Sequence, residues 1–233
     1  MFERRILVVL AHPDDESFPI GATLAKYAAQ GARVILVCAT RGQAGVPGMD
    51  MIAAGRLRES ELRCAAHALG LAEVRFLDYW DGMLYDADEE YMVARLKAII
   101  DEIRPQVVIT FGPDGISGHP DHVAISRFTT LAFDQSGAEG ALFYVSPLNA
   151  QNGVCGVTPS QEKGNRPLFA IEVKGYLVNK VKAMQCHASQ HQPYPGQPEE
   201  EAGRLACHEY FTLARPIGWT GDSADFFDIV SKV

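Results

Sequence analysis

The chain has 233 residues, 47% of them hydrophobic and 21% charged, which is globular composition with length for one sizeable core. No internal repeat or low-complexity segment interrupts it, so fibrous and disordered classes are excluded. The formal net charge is -8 and no basic tract occurs, which argues against nucleic acid or an anionic membrane as a partner.

The first predicted element is a strand from Ile6 to about His12. Its short, unbroken apolar run is the pattern of a strand buried on both faces. Pro13 cannot donate to a ladder and ends it. Thr23 to Gln30 predicts a helix closed at Gly31. Val34 to Ala39 is a second buried strand, and the Gly-rich segment from Thr40 to Met51 is a loop long enough to serve a site. Ala53 to Leu69 reads as a helix closed by Gly70, and Val74 to Leu77 as a third strand. A polar, aromatic loop runs from Asp78 to Asp88. A helix then spans Glu89 to Ile103 and stops before Pro105. Val107 to Thr110 is the fourth strand, followed by a helix from His122 to Phe133. This alternation predicts a doubly wound, mostly parallel α/β sheet.

The second half predicts strands at Ala141 to Ser146 and Pro167 to Val173, a helix at Tyr176 to His187, and a last edge strand at His208 to Ala214. Residues 149–166 lack periodicity and read as a loop near a site or as a partner surface, leaving room for a homo-oligomer. Residues 192–198 (QPYPGQP) carry three prolines, so no regular element is expected and a lid is the natural reading. The five cysteines are scattered without a C-x-x-C pair, which predicts free thiols in a reducing compartment. No stretch is long enough to span a bilayer. The start, MFERRILVVLA, has too short an apolar run for a signal peptide, so the protein is expected to be cytoplasmic.

Chemistry gathers at two strand ends. His12, Asp14, Asp15 and Glu16 follow the first strand, where open α/β sheets form their ligand crevices. His12 and Asp15 suit one divalent cation, with Asp14 left over as a base; the plainer alternative is that the acids cap the next helix. The second cluster, FGPDGISGHPDH at 111–122, ends the fourth strand with His119, Asp121 and His122. Two such strand ends, about a hundred residues apart, are poorly explained by capping and well explained by parallel strands lying side by side.

These motifs, AHPDDES at 11–17 and GHPDH at 118–122, resemble those of the LmbE-like, or PIG-L, family of zinc-dependent deacetylases. The resemblance extends through TRGQAG at 40–45, RLRESELRCAAHALGL at 56–71, FLDYWDGML at 76–84 and KAMQCHASQH at 182–191. It implies a single-domain, Rossmann-like three-layer sandwich that removes an N-acetyl group from a small glucosamine-containing molecule. The zinc ligands it implies are His12, Asp15 and His122, with Asp14 as general base, His119 as an imidazolium facing the oxyanion, and Asp121 orienting a histidine. Fe2+ also suits two histidines and a carboxylate.

The remaining candidates carry two readings each. Arg41 either meets substrate or shields a sheet end, and Gln43 beside it stands where the family commonly has an acid. Arg58 either pairs with Glu61 on the surface, a common arrangement one turn apart, or reaches the pocket as its family counterpart does. Asp81 binds a sugar hydroxyl or makes a turn. Asp114 and Ser117 flank the second motif, Ser117 standing where some members have a tyrosine. His187 and Gln190 are one turn apart on a helix, a spacing usually structural, but the resemblance implies that they line the site. Two other functions stay open: an amidase cleaving a larger acyl group from a thiol conjugate or antibiotic, and a non-catalytic binding module. A free carboxylate at Asp14 speaks against the module.

Overall fold

The computed structural model describes residues 3–146, 168–190, 195–216 and 225–231. Strand β1 (Arg5–Leu10) sits at the centre of the sheet, and from Ile6 to Leu10 none of its side chains is exposed. Its β-branched and aliphatic residues need cover on both faces, and helices supply it on each side. The sheet order is β3-β2-β1-β4-β5-β7-β6, with β2 (Arg33–Thr40), β3 (Glu73–Tyr79), β4 (Val107–Phe111), β5 (Ala141–Val145), β6 (Leu168–Glu172) and β7 (His208–Arg215). The first five strands in that order run parallel. From β1 to β3 the chain steps one way across the sheet, and from β3 to β5 it steps back. Right-handed crossovers therefore place the two groups of helices on opposite faces.

One group is α1 (Gly21–Ala29), α2 (Met51–Leu69) and α6 (Leu177–Cys186), which pack on one another. The other is α3 (Glu89–Ile103) against α5 (Pro120–Gln135). The direction reverses between β1 and β4, so the carboxyl ends of those two strands form the switch-point crevice. Short turns complete the chain: α4 (Gly115–Gly118), α7 (Pro198–Ala202) and α8 (Phe226–Val230).

Strand and helix boundaries follow the sequence pattern to within a few residues, with informative exceptions. β7 is not an edge strand. It lies between β5 and β6, antiparallel to both, and β6 takes the edge. Glu209 is buried there against Lys180, with Oε1 and Nζ 2.6 Å apart. Glu209 also accepts the Ala22 and Thr23 N–H groups at the start of α1. α5 begins at Pro120 rather than His122, because proline loses nothing at the first helical position and His119 caps it. α7 starts at Pro198, again with proline at the first helical position, at the end of the stretch expected to be irregular. Residues 149–166 and 192–194 lie outside the described residues.

The free-thiol expectation is corrected. Cys64 on α2 and Cys186 on α6 form a disulfide, and Cys207 is also disulfide-bonded. Cys38 is the free cysteine among the described residues, and it is buried. The bonded pair is 122 residues apart, and only the packing of α2 on α6 brings it together. The cysteines therefore give no argument for a reducing compartment. Among the described residues no helix is long and apolar enough to cross a membrane.

Because β1 has no exposed face, cutting it back leaves a cavity that the sheet cannot close. Leu7→Ala should cost about 2–5 kcal/mol, read as a lower urea midpoint at unchanged slope.

Candidate metal centre and active site

The turn after β1 is set by strain and by one buried acid. Asp14 sits in the left-handed region at φ 100°, which costs a non-glycine residue about 1–3 kcal/mol. Glu16, fully buried, accepts the Asp14 N–H at 3.0 Å, the Ser17 hydroxyl, and a contact from His187 Nε2 at 2.7 Å. The turn after β4 is equally constrained. Gly115 has φ 63°, and a Cβ there would lie 2.8 Å from the Cβ of His122. Its carbonyl instead accepts from His122 Nδ1 at 3.0 Å.

These contacts decide which ring nitrogens remain for a ligand. His122 spends Nδ1 on Gly115, leaving Nε2. His12 spends Nε2 on two carboxylates, Asp81 Oδ1 and Asp121 Oδ2, each at 3.1 Å, leaving Nδ1. The two remaining nitrogens face each other at 3.2 Å. Asp15 completes the triangle: Oδ1 is 3.3 Å from His122 Nε2, and Oδ2 is 3.7 Å from His12 Nδ1. Ligands about 2.0–2.1 Å from a tetrahedral ion stand roughly 3.4 Å apart. The two nitrogens thus have the spacing of one such ion's coordination shell, and Asp15 approaches each of them with a different oxygen.

Charge points the same way. Burial alone would lower the pKa of His12, but its bonds to Asp121 and Asp81 push it up to about 10. His122 is likewise raised by Asp15 against the effect of burial. Burial disfavours the Asp15 carboxylate, yet His122 and His12 hold it below the usual range. The surroundings of these groups favour positive charge, which a cation bound there would supply in place of protons. The residues present fit a divalent metal.

His119 is the least buried of the three histidines, its ring 4.9 Å from those of both His12 and His122. With them it forms an alternative set of three nitrogens within reach of one ion. Its Nδ1 accepts the Asp121 N–H at 3.2 Å, so Nε2 carries the proton. Burial and the charges of His12 and His122 lower its pKa. Nε2 is therefore the nitrogen left to donate, where the sequence led to an expectation of an imidazolium. Asp121 orients a histidine, but its carboxylate bonds His12 and the N–H groups of Gly82 and Leu84, not the His119 ring.

Asp14 stands beside this group with its side chain 26% exposed. Arg58 meets its Oδ2 at 2.9 Å. Burial and the Asp15 charge push Asp14 up to about 7, against the pull of Arg58. Arg58 is not half of a surface pair with Glu61. It is buried, and it also bonds the carbonyls of Pro13 and Gly42, while Glu61 is buried against the Ser189 N–H and hydroxyl at 2.6 and 2.7 Å. A Cβ on Gly42 or Gly45 would lie 2.3 Å from Arg58 Nη1 and would push the guanidinium out of its place.

Other candidates lie further from the cluster. Arg41 pairs with Glu59 and Asp78 and stacks over Phe76. It lines a groove of about 290 Å³ with Gln43, Met51, Ile52 and Trp80. Asp81 turns its second oxygen to the Ala44 N–H. Asp114 caps Ile116, and the Ser117 hydroxyl accepts from the His119 N–H at a long 3.4 Å. His187 is wholly buried and lines no open surface. Gln190 bonds Gly45 O and Ser189 Oγ. The sequence suggested for Glu16 only helix capping, and for Glu61 only a surface pair with Arg58. A buried acid that meets a His or Ser just beyond the end of α6, more than a hundred residues away, leaves no local signal, and the helix expected to carry His187 and Gln190 ends at Cys186.

Fold and cluster together define an α/β protein with a set of imidazoles and carboxylates at its switch point that could hold a cation. The chain belongs to the PIG-L family, whose description is GlcNAc-PI de-N-acetylase and which it matches over residues 7–133. It is 35% identical to a 1D-myo-inositol 2-acetamido-2-deoxy-alpha-D-glucopyranoside deacetylase from Acidothermus cellulolyticus, over 95% of this chain and 93% of that protein. A deacetylase of the same description from Rhodococcus jostii is 33% identical, over 92% and 93%. Among solved structures, the N,N'-diacetylchitobiose deacetylase of Pyrococcus horikoshii superposes with a TM-score of 0.66 at 20% identity, covering 92% of this chain and 88% of that one. A 4-carboxy-2-hydroxymuconate hydratase from Pseudomonas putida superposes equally well, at 0.68 and 18% identity, covering 94% and 100%. The shape alone therefore does not select a reaction.

The carboxylates on His12 Nε2 should matter for metal affinity without touching the ion. Asp121→Asn is expected to weaken divalent-metal binding by about 10–100-fold in competition with a chromophoric chelator. Unchanged affinity would show that this carboxylate does not hold the ligand in place.

Proposed function

We propose that the protein is a metal-dependent hydrolase that removes the N-acetyl group from a small glucosamine-containing molecule, with zinc as its metal. The observation that carries this reading is the pair of imidazole nitrogens facing each other at 3.2 Å, each with its second nitrogen already committed. Beside them stands a carboxylate, Asp14, held by an arginine. The sugar amide is favoured because relatives matching over more than nine-tenths of both chains are glucosaminide deacetylases.

His12, Asp15 and His122 would hold the ion, which when bound supplies Lewis acidity and lowers the pKa of water to roughly 7. Asp14 takes the proton from the attacking water as its oxygen bonds the acyl carbon. A carboxyl group poised near neutrality suits that exchange. His119 offers its Nε2 proton to the carbonyl oxygen as negative charge builds there. Asp14 then returns its proton to the amine nitrogen as the C–N bond breaks, giving acetate and a free amine. Arg58 keeps the Asp14 carboxylate turned toward this work.

N-acetylglucosaminyl-inositol and simpler N-acetylglucosaminides, scored for free amine with zinc and with chelator, test the reading. Turnover should appear with metal and vanish with chelator. Asp14→Asn should lower kcat by about 10²–10⁴-fold with metal content intact. His119→Ala should lower it by roughly 10²–10³-fold. A metal-loaded Asp14→Asn protein with wild-type turnover would contradict the assignment of the base.

A further inference from the structure

Asp14 is the residue in greatest need of support, because its backbone is strained and its carboxylate must stay in place. Arg58 holds the carboxylate from one side. Behind the turn, the only group on the Asp14 N–H among the described residues is Glu16 Oε2, at 3.0 Å. Glu16 has no exposed surface, and its other oxygen, Oε1, takes the Ser17 hydroxyl and His187 Nε2 at 2.7 Å. His187 follows directly after α6, also fully buried, and its neighbour Ser189 is tied to Glu61 of α2. A buried acid joined to a buried imidazole is a costly arrangement unless each group meets good partners. Here all three donors converge on one carboxylate, which sits one residue from Asp15 and two from Asp14.

We infer that Glu16 and His187 form a positioning strut that holds the Asp14 turn in its left-handed conformation, and thereby sets the Asp14 carboxylate against the substrate. His187 acts through Glu16 and touches no reacting atom. The inference rests on the reading of Asp14 as the base. It adds a role, held by a residue from the far end of the chain, that the metal cluster does not need. Glu16 is suited to the task because a carboxylate offers acceptors only. An amide of the same shape would turn an NH2 toward one of the three donors.

The test uses the metal-loaded full chain and compares His187→Ala, His187→Gln and Glu16→Gln with the parent. Metal content, melting temperature, kcat and KM are read for each. His187→Ala should lower kcat by about tenfold to a hundredfold, the scale of a small misplacement of a reacting group, with KM within about threefold and metal stoichiometric. His187→Gln, which still offers an N–H to Glu16, should recover most of the loss, whereas isosteric Glu16→Gln should not. In an Asp14→Asn background, His187→Ala should cause no further fall in the residual rate.

Parent-level kcat in folded, metal-loaded His187→Ala would overturn the strut. So would a fall matched by lost metal or lost fold, or an additive loss in the Asp14→Asn background. If His187→Ala does not fold, His187→Gln and Glu16→Gln decide: equal rates in the two would overturn it. Wild-type turnover in Asp14→Asn alone would instead sink the assignment of the base, so the two failures are told apart.

Discussion

Two imidazoles turned nitrogen to nitrogen are the constraint on which the structure depends. His12 and His122 come from different strand ends, and neither ring is free to rotate away. Gly115 holds one and a pair of aspartates holds the other. Without a proton or a cation between them, two lone pairs would face each other at 3.2 Å. The sheet topology makes the meeting unavoidable: β1 and β4 are neighbours at the reversal of strand order, so both turns open into one crevice.

Asp14, the proposed base, is held by a different part of the molecule. Arg58, Glu61 and Cys64 stand three residues apart along one face of α2. They reach, in turn, Asp14, Ser189 and Cys186. α2 thus connects the β1 turn to the end of α6, where His187 meets Glu16. The proposed metal ligands rest on strand ends and the proposed base on a helical frame. This division explains how a strained Asp14 can sit beside an ordered cluster without being drawn into it.

Much of the fold was legible in the sequence because its signals are local. The apolar runs of β1, β2 and β4 read as doubly buried strands, and Gly70 and Pro105 mark helix ends. The two motifs were legible as chemistry because His, Asp and Pro crowd a strand end. What escaped was set by partners distant in sequence. The tautomers of His12 and His122 depend on Asp81 and on a carbonyl. The Cys64–Cys186 bond depends on helix packing, and the place of β7 inside the sheet depends on a late return of the chain. Arg58 and Glu61 showed only their helical spacing, which fits a surface pair as well as two buried anchors. That His119 spends Nδ1 on capping α5 likewise shows only in the folded turn.

The central claim is that one ion is gripped by His12, Asp15 and His122. X-ray absorption at the zinc edge, on protein loaded with one equivalent of metal, tests it most directly. The account predicts two imidazole nitrogens and carboxylate oxygen at about 2.0–2.1 Å, with one imidazole lost in His122→Ala. A shell without imidazole, or one unchanged by that substitution, would contradict it.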